Sequence, residues 1–92
     1  NGVTMGILEK GIKILKILNS NSFEAFIVGG AVRDYLLGKA INDVDITTNA
    51  SLDDISHLFN NVETLGSKYL GCRVIYEGIT FLNIIIVLCE NG

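Results

Sequence analysis

The stretch Phe26–Ala50, FIVGGAVRDYLLGKAINDVDITTNA, decides how this chain is read. A short apolar run ends in Gly29-Gly30, an Arg33-Asp34 pair follows, and Asp43 and Asp45 alternate around Val44. Ala25 to Val28 reads as a short buried strand. Ala31 to Leu37 reads as a helix closed by Gly38 in the C′ position. Val44 to Thr48 reads as a second strand. The glycine pair therefore lies in a strand-to-helix turn.

In such a turn the unpaired N–H groups and the positive end of the helix dipole face the same way. Glycine lets a phosphate come close to the backbone. Arg33, in the first turn of the helix, is placed to clamp a phosphate oxygen. A plain tight turn also uses two glycines, and the pattern is neither G-x-G-x-x-G nor a P-loop. Asp43 and Asp45 are one residue apart on a strand, so both carboxylates project from one face while Val44 and Ile46 point into the core. Like charges so close raise each other's proton affinity, and a hard divalent cation such as Mg²⁺ relieves that repulsion. Paired metals on carboxylates activate a hydroxyl and stabilise a leaving pyrophosphate. Two solvated aspartates at a strand end are the other reading of the same spacing.

Upstream, Ile7, Leu8, Ile12, Ile14, Leu15, Ile17 and Leu18 recur at helical spacing, with Glu9, Lys10, Lys13 and Lys16 on the other side. This predicts a helix from Met5 to Leu18, and Asn19 to Ser22 reads as a stop and loop. Downstream, Ser51 looks like an N-cap with Asp54 three residues on, which predicts a helix from Leu52 to Phe59. Val62 to Leu65 reads as a short strand. Arg73 to Tyr76 and Ile79 to Leu88 read as a β-hairpin around Glu77-Gly78. The order helix, strand, helix, strand, helix, hairpin specifies an α/β or α+β sheet with helices packed against it.

The 92 residues suffice for one small domain, nearly half of them apolar and none proline. The net charge of −3 is the wrong sign for a domain gripping nucleic acid over a broad face. Cys72 and Cys89 have no CxxC spacing and one histidine to join them, which argues against a structural zinc site and for lone buried thiols in a reducing cytoplasm. The longest apolar run, Ile84 to Cys89, is too short to span a membrane. His57, Lys68 and Arg73 read as surface charges, and Tyr35, Tyr69 and Tyr76 as packing residues.

VGGAVRDYLLG followed by DVDITTNA resembles the head domain of the class II nucleotidyltransferases, the family of CCA-adding tRNA nucleotidyltransferases and bacterial poly(A) polymerases. The N-terminal helix, the segment LGSKYLGCRVIYEG and the element order fit that head over nearly the whole chain. The resemblance implies a small mixed sheet of nucleotidyltransferase type. It implies two Mg²⁺ ions on Asp43 and Asp45, and attack of an RNA 3′-hydroxyl, as of tRNA, on the α-phosphate of ATP or CTP. Gly29 and Gly30 would hold the triphosphate through the backbone and Arg33 through its side chain. Asp34 would orient the turn.

The chain also departs from that family. Its last hairpin strand there reads like FEVTTFR, with a third carboxylate. Here the stretch is Phe81-Leu82-Asn83-Ile84-Ile85-Ile86-Val87-Leu88, so asparagine or leucine stands at the acid's place, depending on register. Family members continue into neck, body and tail domains, so residues 1–92 are expected to be an isolated or truncated head. In such a head the apolar run Asn83 to Cys89 is expected to be an exposed edge or face and to drive self-association. Two functions stay open: a Mg²⁺-dependent nucleotidyltransferase head, or a non-catalytic, nucleotide-binding or self-associating remnant of one.

Overall fold

The computed structural model describes residues 2–41, 43–64 and 71–86. The elements in chain order are α1 (Gly2–Ser20), β1 (Ala25–Val28), α2 (Ala31–Leu36), β2 (Val44–Thr48), α3 (Leu52–Leu58), β3 (Val62–Thr64), β4 (Gly71–Tyr76) and β5 (Ile79–Ile86). The strands form one mixed sheet in the order β1-β2-β5-β4-β3. Only the β2–β5 pair is parallel. The expected α/β architecture, a small mixed sheet carrying helices, is the one observed. Among the described residues no helix is long and apolar enough to cross a membrane.

One face of the sheet is covered. Val44, Ile46 and Thr48 of β2 alternate into it, and Ala25 of β1 and Cys72 and Val74 of β4 share the same parity through the strand registers. They meet Ile7, Leu8, Ile14 and Leu18 of α1 and Ile55 of α3 in one buried cluster. Gly11 sits in the apolar stripe of α1, and a Cβ there would lie 3.0 Å from Val44 Cγ1. The missing side chain lets the helix pack directly on β2. Thr48, buried among apolar groups, is satisfied: its hydroxyl donates to the Glu24 carbonyl at 2.7 Å and accepts from the Ala50 N–H at 3.2 Å.

The local signals work as their chemistry requires. Ser51 and Asp54 form a reciprocal capping box at the start of α3. That bonding holds the Asp54 carboxyl below its ordinary value, chiefly through the Ser51 backbone N–H. At the end of α2, Lys39 N–H reaches the Asp34 carbonyl at 2.8 Å and Gly38 N–H the Tyr35 carbonyl at 3.1 Å, with Gly38 at φ +72°. This is a Schellman closure. The hairpin turn has φ +49° at Glu77 and +80° at Gly78, the left-handed pair that a two-residue loop between twisted strands needs. A glutamate is uncommon there, and its carboxylate ties the turn to α1 by accepting from Lys10, with Lys13 3.8 Å away. The Lys10 pairing raises its own pKa and lowers that of Glu77.

Two expectations change. β5 lies between β2 and β4, and from Leu82 to Ile85 both its edges are paired. The free edge expected from Asn83 onward is therefore taken up by pairing on both sides as far as Ile85; Val87, Leu88 and Cys89 lie outside the described residues. Tyr35 is exposed instead of packed, because α2 is a short helix at the sheet margin. Tyr76 does pack, edge-on against Phe59 with ring centres 6.2 Å apart. Cys72 is a fully buried free thiol whose pKa is pushed up to about 11 by that burial. Lys68 and Tyr69 lie outside the described residues.

Candidate active site

The face of the sheet opposite the core carries Phe26, Val28, Asp45, Thr47, Arg73 and Glu63, none of them buried. Phe26 is 62 % exposed, so among the described residues no helix covers the β1 side of this face. At the end of the sheet where β1 stops and β2 begins, Val28, Gly30, Ala31, Asp34, Ala40, Ile41, Asp43 and Asp45 enclose a cavity of about 130 Å³. The alternation around Val44 thus brings both expected carboxylates to one cavity, with Val44 itself fully buried behind them.

The turn between β1 and α2 forms the opposite wall. Gly29 has φ +79°, a conformation that disfavours any side chain, and a Cβ there would lie 3.8 Å from Asp45 Oδ2. Gly30 occupies the N-cap of α2 at φ −92°, and no side chain caps that helix end. A Cβ at Gly30 would stand 2.5 Å from Arg33 Nη2, so a side chain there would displace the guanidinium. The guanidinium folds back across the bare backbone of Gly30. Asp34 holds it there, with Oδ1 accepting from Nε at 3.4 Å and from Nη2 at 3.3 Å. Arg33 is itself 71 % exposed, and neither it nor Gly29 forms part of the cavity wall. Asp34 does, which gives this residue a place in the site beyond orienting the turn.

Asp43 and Asp45 supply hard carboxylate oxygens on a polar cavity beside a backbone that carries no side chain. That donor set fits Mg²⁺, which binds through one or two carboxylates and keeps water and phosphate oxygens as its other ligands. Among the described residues there is no cluster of three or more His, Cys, Asp and Glu suited to a metal. In the strand register, Asn83 of β5 is the residue paired with Asp45. Of the two candidates for the missing acid's place, position 83 is the one beside the carboxylate pair.

The motif's tail, Thr47 to Ala50, has a structural role that sequence reasoning missed. Asn49 Oδ1 accepts from the Glu24 N–H at 2.9 Å, and the Thr48 hydroxyl bonds the Glu24 carbonyl. These contacts lock the far end of β1 to β2 and so fix the register that sets Val28 opposite Asp45. Arg73, taken for a surface charge, is half-buried on the same face as Asp45. His57 is exposed as expected, with Nδ1 2.7 Å from the Asp53 carbonyl.

Residues 25–80, more than half of the chain, match the family model described as the poly A polymerase head domain. The CCA-adding enzyme of Staphylococcus saprophyticus is 40 % identical over 76 residues, covering 83 % of this chain and 19 % of that protein. Poly(A) polymerase I of Salmonella typhi is 43 % identical over 70 residues, covering 76 % of this chain and 15 % of that one. The crystal structure of the Bacillus stearothermophilus CCA-adding enzyme in complex with CTP superimposes with a TM-score of 0.73 at 33 % identity, covering 89 % of this chain and 20 % of the other. The chain spans only 15 to 20 % of the length of these relatives. With the glycine turn, Arg33 and both aspartates inside the matched span, this chain belongs to the poly(A) polymerase head domain family.

Proposed function

We propose that this chain holds the catalytic site of an RNA nucleotidyltransferase, which moves AMP or CMP from ATP or CTP to the 3′ end of an RNA such as tRNA. The observation that carries the reading is the convergence of Asp43, Asp45 and Gly30 on one cavity, with Gly29 beside Asp45. The cytoplasm is the compartment that suits such a substrate.

In the reaction the 3′-oxygen forms a bond to the α-phosphorus, the bond to the bridging oxygen breaks, and pyrophosphate leaves with that electron pair. The hydroxyl proton passes to water. Bound Mg²⁺ would supply Lewis-acid charge to the phosphoryl oxygens and lower the pKa of the attacking hydroxyl. The chain's own part is positioning and charge. Asp43 and Asp45 would hold the metal, the glycine turn would take the triphosphate against uncapped N–H groups, and Arg33 would meet its oxygens.

A second reading is favoured by one observation. Asparagine at position 83, paired with Asp45, stands where the family pattern has a further carboxylate. A head without that acid would bind nucleotide and transfer it poorly, as a nucleotide-binding module. Calorimetric titration of ATP and CTP, with and without Mg²⁺, tests the shared part of both readings. Metal-dependent binding that disappears in Asp43→Ala/Asp45→Ala is expected. A folded chain that binds neither nucleotide would sink both. Transfer of labelled nucleotide to RNA then separates them.

A further inference from the structure

Five residues form one row across the sheet. Val28 of β1 pairs with Asp45 of β2, Asp45 with Asn83 of β5, Asn83 with Arg73 of β4, and Arg73 with Glu63 of β3. Register partners share a face, so Asp45 and Arg73 point from the same side of the sheet. Two strand spacings separate their backbones, about 10 Å. The residue between them is uncharged. Arg73 is half-buried on this open face, while its strand neighbours Cys72 and Val74 are fully buried in the core beneath.

The two sides of Asp45 differ in a way the chemistry can use. On the β1 side are the glycine turn and Arg33, where the function proposed above places the triphosphate. In a phosphoryl transfer the attacking and leaving oxygens lie roughly in line. If pyrophosphate leaves towards β1, the acceptor oxygen must approach from the other side, over β5 and β4. Arg73 is the cation on that side of the row. Glu63, its register partner on β3, lies one strand further out.

We propose that Arg73 binds the terminal phosphodiester of the acceptor RNA strand, on the opposite flank of the carboxylate pair from the triphosphate turn. The inference rests on the function proposed above and adds to it the route by which the acceptor enters. Arg73 acts by position: it holds the strand whose 3′-oxygen reacts, without touching the reacting phosphorus.

The test uses the full 92-residue chain, with a short single-stranded oligoribonucleotide ending in a 3′-hydroxyl followed by fluorescence anisotropy, and ATP and CTP followed by calorimetry. The variants are Arg73→Gln, Arg73→Lys, Arg33→Gln and, as a charge control on α1, Lys16→Gln, each checked for folding by circular dichroism. Arg73→Gln is expected to weaken RNA binding about tenfold and to lower the slope of log affinity against log salt by about 0.7, the value of one lost phosphate contact on a single strand. It should leave nucleotide affinity within about twofold. Arg73→Lys should recover part of the loss, Lys16→Gln should change little, and Arg33→Gln should weaken nucleotide more than RNA. Arg73→Gln weakening nucleotide as much as RNA, or leaving RNA binding unchanged, would overturn the assignment. So would a wild-type chain that binds nucleotide and no RNA. A chain that binds no nucleotide defeats the underlying function instead, and RNA binding that still fell in Arg73→Gln would keep the acceptor strand at Arg73.

Discussion

The two faces of β2 differ more than any two regions of this molecule, although they are made of the same five residues. Val44, Ile46 and Thr48 turn to the core and are at most 3 % exposed, while Asp45 and Thr47 turn outwards and are half-buried. One face is covered by helices and carries stability; the other is open and carries charge. Alternation lets a very short segment do both, because neighbouring residues never share an environment. A change at one residue should therefore register in folding, and a change at the next in binding.

The largest effect expected is on the covered side. Ile46→Ala removes a fully buried side chain and should cost about 2–5 kcal/mol, a large share of the stability of a domain this small. Thr47→Ala, one residue along, should stay within about 0.5 kcal/mol. Urea denaturation of the pair measures this directly. Equal losses would mean that the outer face is packed as tightly as the inner.

Asp45→Asn sharpens the contrast from the other side. It should leave the urea midpoint unchanged or slightly raised, since one of two neighbouring like charges is gone. Nucleotide affinity in the presence of Mg²⁺ should fall at least about tenfold, as expected for a lost carboxylate ligand. A large drop in stability without a change in affinity would assign Asp45 a structural role.

The parts of this division that depend on near neighbours in sequence were legible there. The period around Val44, the glycine at C′ of α2, the Ser51–Asp54 box and the Glu77–Gly78 turn each announce themselves within a few residues. What depends on pairing between distant strands was not. Counting straight back from the hairpin turn sets Arg73 against Leu82; a one-residue shift between Val74 and Tyr76 sets it against Asn83. That bulge is invisible in composition, and it is the reason the position of the missing acid stayed ambiguous and Arg73 looked like an ordinary surface charge. The interior place of β5 was hidden for a related reason. An apolar run reads the same at an edge or in the middle, and the crossover that sets β5 beside β2 is a property of the whole sheet.

The two glycines of the turn offer a finer separation. Gly29→Ala forces a side chain into φ +79° and should cost about 1–2 kcal/mol of stability. Gly30→Ala meets no backbone strain at φ −92°, but its Cβ displaces the Arg33 guanidinium from 2.5 Å away. Stability should then change little while ATP affinity falls several-fold, the scale of one charge-assisted hydrogen bond. Finding the reverse order, with Gly30→Ala the less stable and the better binder, would show that Arg33 reaches nucleotide by another path.

The smallest effect belongs to the covered side again, at the cap of α3. The folded-state pKa of Asp54 lies below its unfolded value because the Ser51 N–H bonds the ionised carboxylate. Its contribution is therefore complete above the unfolded pKa, near ~4, and is lost as pH falls through the folded value. Asp54→Asn keeps an acceptor oxygen for Ser51 and gives up the charge. Its melting temperature should lie slightly below that of the wild type at neutral pH, and the two should converge as acid protonates Asp54. Among the described residues the buried core on the same side contains no carboxylate, so nothing there should follow that curve. A difference between the two proteins that stayed constant into acid would mean that the cap works through shape alone and that the charge of Asp54 is idle.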